Sequence, residues 1–177
     1  MSNQAIHWSL FVLPWFTLFL IKKEDVKRYI PVALFGTVLA TIIHDTGIAL
    51  GLWTLKETVF PFNQMTPYLY GAMLVIILWV FKFTYGRLWI YTATSLLIHI
   101  WLNFFFLNIF LPSRGILSLD VSPFWTLPVT LIHAVLIYRY QIWQEDIFAR
   151  FESPGYSANL QPAATKPLPQ VQEHDKE

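Results

Sequence analysis

The stretch YIPVALFGTVLATIIHDTGIALGLW, residues 29–53, decides the fold class. Its one charged residue is Asp45, and its one histidine is His44. A helix crossing the roughly 30 Å hydrocarbon core of a bilayer needs about 20 predominantly apolar residues, so this run reads as a membrane span. The block before it, Lys22-Lys23-Glu24-Asp25-Val26-Lys27-Arg28, reads as a polar stop at one interface.

Four further apolar stretches flank this one, at about residues 6–21, 66–83, 88–111 and 124–143. The first and third are short and need flanking residues or local thinning to cross. The first has no basic leader and no small-residue cleavage site behind it, so it reads as a retained span with Pro14 as a kink. The whole chain of 177 residues is 55% hydrophobic and 13% charged, against about 25% charged in soluble domains. The expected fold class is therefore an all-α integral membrane protein, a bundle of about five transmembrane helices. A net charge of +1 offers no electrostatic footprint for nucleic acid. The absence of cysteine removes disulfides, thiolate metal sites and cysteine nucleophiles.

The loop charges give the bundle a direction. Lys22, Lys23, Lys27, Arg28, Lys82, Arg87, Arg139, Arg150, Lys166 and Lys176 fall on one side, and Lys56 and Arg114 on the other. By the positive-inside rule the N-terminus is outside and the C-terminus cytoplasmic, as expected for a multi-pass protein of the cell membrane. Trp8, Trp53 and Trp125 mark the outer interface, and Trp79, Trp89 and Trp143 the inner one. Trp15 and Trp101 lie within spans and are expected to pack. Residues 144–152, with Ile147, Phe148 and Phe151 among charges, are expected to form a short interfacial helix. From Ser153 the composition turns to Pro, Gln, Ala and Ser, so residues 153–177 read as a disordered cytoplasmic tail. A weak Pro-rich docking pattern lies at Lys166–Pro169.

The most informative side chains are those unsuited to lipid. An ionisable group in a span is costly and normally faces the bundle interior or a partner. His44 and Asp45 lie in the second span, His99, Asn103 and Asn108 in the fourth, and His133 in the fifth. In the second span Gly36, Ala40, His44, Gly47 and Gly51 recur at helical spacing and share one narrow face. Small residues there let another helix approach closely, so Gly36, Ala40, Gly47 and Gly51 form a packing face for a protein partner or a second copy. Tyr91, Ser95, His99 and Asn103 form a second polar stripe, and Thr126, Thr130, His133 and Ile137 a third. At about 1.5 Å per residue, His99 and His133 lie at similar depths, roughly 15 Å from the inner ends of their spans, and His44 about 22 Å up.

Three functions fit this pattern. The leading expectation is a non-enzymatic subunit or accessory protein with no cofactor and with the lipid bilayer as its surroundings. The second is a small proton-linked carrier using His44, Asp45, His99 and His133. The third is a redox protein holding haem or metal between His99 and His133. Asp45-Thr46-Gly47 matches the aspartic-protease triplet, but no span core supplies the second carboxylate that such chemistry shares a proton with. There is no His-Glu-x-x-His zinc motif, no Gly-x-Ser-x-Gly elbow and no phosphate-binding Gly-rich loop.

Overall fold

The computed structural model describes residues 2–62 and 66–152; the tail from Ser153 and the pattern at Lys166–Pro169 lie outside the described residues. The chain is mostly helical. Helix α1 covers Asn3–Phe16, capped by the Ser2 hydroxyl, which accepts from the Ala5 N–H. Pro14 sits in its last turn. Thr17 Oγ1 donates to the Pro14 carbonyl at 2.6 Å, and the chain tightens into a 3-10 turn at Thr17–Leu20. The proline therefore stands where the α-helix ends and does not kink a longer one.

Helix α2 runs Lys23–Ala49 and begins six residues before the apolar run. Glu24 and Asp25 occupy its first turn, where the positive end of the helix dipole favours them, so the charged block is helical. At the far end Gly51 has φ +69°, the left-handed conformation that terminates a helix. Gly51 thus lies beyond the helix and is not part of the α2 packing face. Helix α3 (Ala72–Thr84) is entered through a 3-10 turn at Pro67–Leu69. Helix α4 (Leu88–Ser113) is α-helical to Ile100, widens into a π-helix over Trp101–Phe110, and closes with one α turn. Helix α5 runs Pro123–Glu152 without a break, so residues 144–152 continue it and are not a separate helix. No glycine or proline interrupts it after Pro128. Among the described residues, three helical stretches are long and apolar enough to cross a membrane, Lys23–Ala49, Pro67–Thr84 and Leu88–Ser113. Trp15 and Trp101 are exposed, at 40% and 52%, and face outward from these packed helices.

The all-α expectation holds, with one short strand pair added. Strands β1 (Trp53–Leu55) and β2 (Leu117–Leu119) pair antiparallel, with Trp53 opposite Leu119, Thr54 opposite Ser118 and Leu55 opposite Leu117. Backbone bonds from Lys56 N to Ile116 O and from Asp120 N to Leu52 O extend the ladder at both ends. The two connections that follow α2 and α4 are thereby stitched together. Asn3 joins them, its amide donating to the Glu57 carboxylate and, at 2.8 Å, to the Arg114 carbonyl. The start of the chain and both connections lie at one end of the fold.

The chain divides into two units, residues 1–141 and 142–177, the boundary falling within α5. In the second unit Arg150 Nη2 donates to Asp146 Oδ2 at 2.7 Å, an exposed pair four residues apart. The first unit holds two apolar cores. One packs Tyr29, Val32 and Ala33 of α2 against Leu74, Leu78 and Phe81 of α3, with Tyr91 and Ile137. Its aromatic rings continue through Tyr138, and the Tyr91 hydroxyl donates to the Ala134 carbonyl at 2.7 Å, tying α4 to α5. The other core, nearer the hairpin, gathers Ala40, Tyr68, Leu69, Phe106, Leu111 and Ile116.

Gly71 lets α1 cross close to the start of α3. A Cβ there would collide with the Leu10 and Phe11 carbonyl oxygens, which are backbone and cannot swing aside. Gly71→Ala is expected to destabilise the fold by at least the roughly 1–3 kcal/mol typical of overpacking. Thermal or denaturant unfolding in detergent reads the loss, and an unchanged midpoint would show that α1 does not seat against Gly71.

Candidate binding cavity

Helices α2 and α5 touch at Gly36. At the contact, Gly36 has no side chain, and a Cβ there would meet Ile77 Cδ1 at 2.8 Å and Ile137 Cγ2 at 3.1 Å. The missing side chain admits His133, whose Nε2–H donates to the Gly36 carbonyl at 2.8 Å. Phe35, next to Gly36, and Tyr140, two helical turns beyond His133, stack with ring centroids 4.2 Å apart.

Beyond this contact lies a cavity of about 610 Å³. Helix α2 supplies Ala40, His44 and Gly47 to its wall, α4 supplies Leu102, Asn103 and Leu107, and α5 supplies Thr126, Thr130 and His133. Trp53, Leu117 and Leu119 of the hairpin close its end, with Tyr68 and Met73 beside them. None of the lining side chains is Asp, Glu, Lys or Arg. Apolar walls with a few convergent polar groups, at a volume within roughly 300–1,000 Å³, are what small-molecule sites look like.

Asn103 is fully buried, on the π-helical part of α4. Its Nδ2 donates to the His99 carbonyl at 2.8 Å and to Thr130 Oγ1 at 3.2 Å. A carbonyl can only accept, so the amide nitrogen must lie on that side and Oδ1 on the other. That Oδ1 is buried with no hydrogen-bond partner among the described residues. The widened helix brings residues five apart into line, and Asn108 Nδ2 donates to the Asn103 carbonyl at 2.6 Å. Thr130 Oγ1 is itself satisfied, donating to the Leu127 carbonyl at 2.9 Å.

The histidines divide by role. His133 is anchored through Nε2, which carries the proton because its partner is a carbonyl. His44 is buried, its Nε2 unpartnered among the described residues, while its backbone carbonyl accepts from Trp53 Nε1–H at 3.1 Å. His99 is buried behind the lining, with Nδ1 unpartnered among the described residues, and is near enough to His133 to interact electrostatically. Asp45 is exposed and does not line the cavity. The structure therefore gathers His44, Asn103 and His133 around one space and leaves His99 behind it and Asp45 outside.

Two small positions of α2 are met from within the chain. Gly36 meets Ile77 and Ile137, and Gly47 lies against the Trp53 indole so closely that a Cβ would overlap the ring. Ala40 belongs to the core with Tyr68 and Phe106 and also borders the cavity.

Two lining residues escape a reading by single spans. Thr130 sits in a stripe visible in the sequence, yet its bond to Asn103 depends on the π-helical widening. Trp53 looks like an interfacial anchor, and nothing local marks it as the cover of Gly47. His7 is also buried in α1, with Nε2 unpartnered among the described residues. Among those residues no group of three or more His, Asp or Glu side chains is placed to hold a metal. Comparison with protein-family models, with curated proteins and with solved structures found no match for this chain.

The Gly47–Trp53 contact is open to a double-mutant cycle. Gly47→Leu should destabilise the isolated chain by about 1–3 kcal/mol through overpacking, and adding Trp53→Ala should recover part of that loss. Losses that simply add would show that the indole does not rest on Gly47.

Proposed function

We propose that this chain is a non-enzymatic, multi-pass protein of the cell membrane that serves as an accessory subunit by binding a small apolar molecule inside its bundle. One observation carries the reading: a cavity of about 610 Å³ whose lining has no acidic, lysine or arginine side chain but converges buried His44, Asn103 and His133. Nothing in that lining pairs a nucleophile with a base, so the arrangement suits holding a molecule rather than transforming it.

The proposed topology is five crossings, N-terminus outside and C-terminus cytoplasmic. Apolar length supports the middle three. The fold supplies α1 with its 3-10 turn for the first and α5 for the last. Five crossings require the chain start and the connections after α2 and α4 to share one side, which agrees with the hairpin and the Asn3 bonds. Asp45 then lies about 26 Å along α2 from Arg28, at roughly 1.5 Å per residue, close to the outer headgroups. There an exposed carboxylate needs no partner.

The same geometry weighs against the other two readings. A proton-linked carrier would need Asp45 on a path with the histidines, and it faces away from the cavity they line. Haem between His99 and His133 would compete with the bond from His133 Nε2–H to Gly36, and His99 does not reach the lining.

Two measurements test the proposal. The chain has no cysteine, so single cysteines report sidedness without background. An impermeant maleimide should label Lys56→Cys and Arg114→Cys on intact cells, and Lys22→Cys and Arg87→Cys only after the membrane is opened; the reverse pattern would invert the topology. Native mass spectrometry from mild detergent should show a bound small molecule on the wild-type chain and markedly less on Thr126→Trp, whose indole takes up part of the cavity. The same bound mass to the same extent on both, or on neither, would sink the binding reading.

A further inference from the structure

Five residues both line the cavity and are exposed to the surroundings of the fold. Ile42, Thr46 and Leu50 lie on α2, and Trp125 and Val129 on α5. Leu50 is 68% exposed and Trp125 73%. The mouth of the cavity is therefore the gap between α2 and α5 above the Gly36–His133 contact. It is framed by Ile42, Leu50, Trp125 and Val129, an apolar rim suited to hydrocarbon. The hairpin closes the end of the cavity with Trp53, Leu117 and Leu119. On the proposed topology Ile42 and Val129 lie at hydrocarbon depth and Leu50 and Trp125 at the outer interface, so a molecule enters this space sideways from the outer leaflet.

The interior specifies what can enter. With no Asp, Glu, Lys or Arg in the lining, a charged guest would lose its hydration and gain no counter-ion. The polar groups that form its wall are biased toward accepting, though Asn103 Oδ1 and His44 Nε2 are themselves covered and a guest must part the wall to meet them. Both donors of Asn103 are engaged, leaving Oδ1 as a pure acceptor. Thr130 already donates to Leu127. His133 donates through Nε2 to Gly36, which leaves Nδ1 of a neutral ring as an acceptor. His44 Nε2, unpartnered among the described residues, donates or accepts according to its tautomer. A buried acceptor without a donor is costly, and the guest is the natural source of the missing hydrogen.

Resting on the binding reading above, we infer that the cavity takes an uncharged hydrophobic alcohol from the bilayer, its hydroxyl donating to Asn103 Oδ1 beside His44 and its apolar body lying along Leu102, Leu107 and Val129 toward the gap between α2 and α5.

The test uses the full chain in phosphatidylcholine nanodiscs with three photoreactive probes that differ only at the head: hexadecanol with a diazirine in its chain, the corresponding methyl ether, and the corresponding fatty acid. Cross-linked peptides are mapped by mass spectrometry. The alcohol should label the cavity segments of α2, α4 and α5, and the ether, which lacks the donor, should label about five- to tenfold less. The ionised acid should label less again. Asn103→Leu should erase the difference between alcohol and ether, and Val129→Trp should slow labelling by every probe. The comparison of heads is made on the wild-type chain, so it stands whether or not Asn103→Leu folds. Equal labelling by alcohol and ether, with both reduced in Thr126→Trp, overturns the choice of head group and leaves the binding reading intact. Labelling that Thr126→Trp does not reduce, or no cavity labelling by any probe, overturns both.

Discussion

The hydrogen bond from His133 Nε2–H to the carbonyl of Gly36 pins the two longest helices together at one level. Two features must coincide for it to form. Residue 36 must lack a side chain, because Ile77 and Ile137 already occupy the space a Cβ would need. Residue 133 must also carry a donor long enough to reach a main-chain oxygen on the neighbouring helix. In a membrane, where apolar side chains gain little by leaving lipid for one another, close approach and such bonds hold helices together. Below this level the helices are sealed by Ile137 and the Phe35–Tyr140 stack. Above it lies the cavity, walled by both helices together with α4.

The π-helical stretch of α4 faces that space. A helix widened to i→i+5 bonding gives up regularity and gains a new alignment of side chains. Here Asn108 supports the backbone at Asn103 while the Asn103 amide bridges to Thr130 on α5. The asparagine is held by two donated bonds from its own amide, and its oxygen is the one strong acceptor left over. Irregular backbone at this depth is tolerated where it is buried in protein or lines a cavity, and Asn103 does both.

Much of the fold was legible from the sequence because apolar length is a blunt and reliable signal. Residues 29–49 lie in a helix long and apolar enough to cross a membrane, while the expected end at Trp53 overshoots into β1; the four-residue recurrence of Tyr91, Ser95, His99 and Asn103 marks the face that is buried in the fold. The misreadings share a cause. Apolar length alone starts α2 at Tyr29, although acidic residues in a first turn extend a helix outward. Spacing alone puts Gly51 on the α2 face, because spacing says nothing of its positive φ. The β1–β2 pair leaves no local signal, because each strand is three residues long and its partner lies some sixty positions away. Asp45 looked buried because a residue count along the chain does not say which way a side chain turns. Among the candidate site residues, identity was legible and company was not: His44, Asn103 and His133 share a space, and Asp45 lies outside it.

A lining without acidic, lysine or arginine side chains has an electrical meaning. The field across an energised membrane acts on charge, at roughly 2.3 kcal/mol per elementary charge for each 100 mV. An uncharged guest moving sideways into an uncharged space carries nothing for that field to pull on. Under the binding proposed above, occupancy is indifferent to membrane voltage and to ionic strength and follows the abundance of the guest among the lipids.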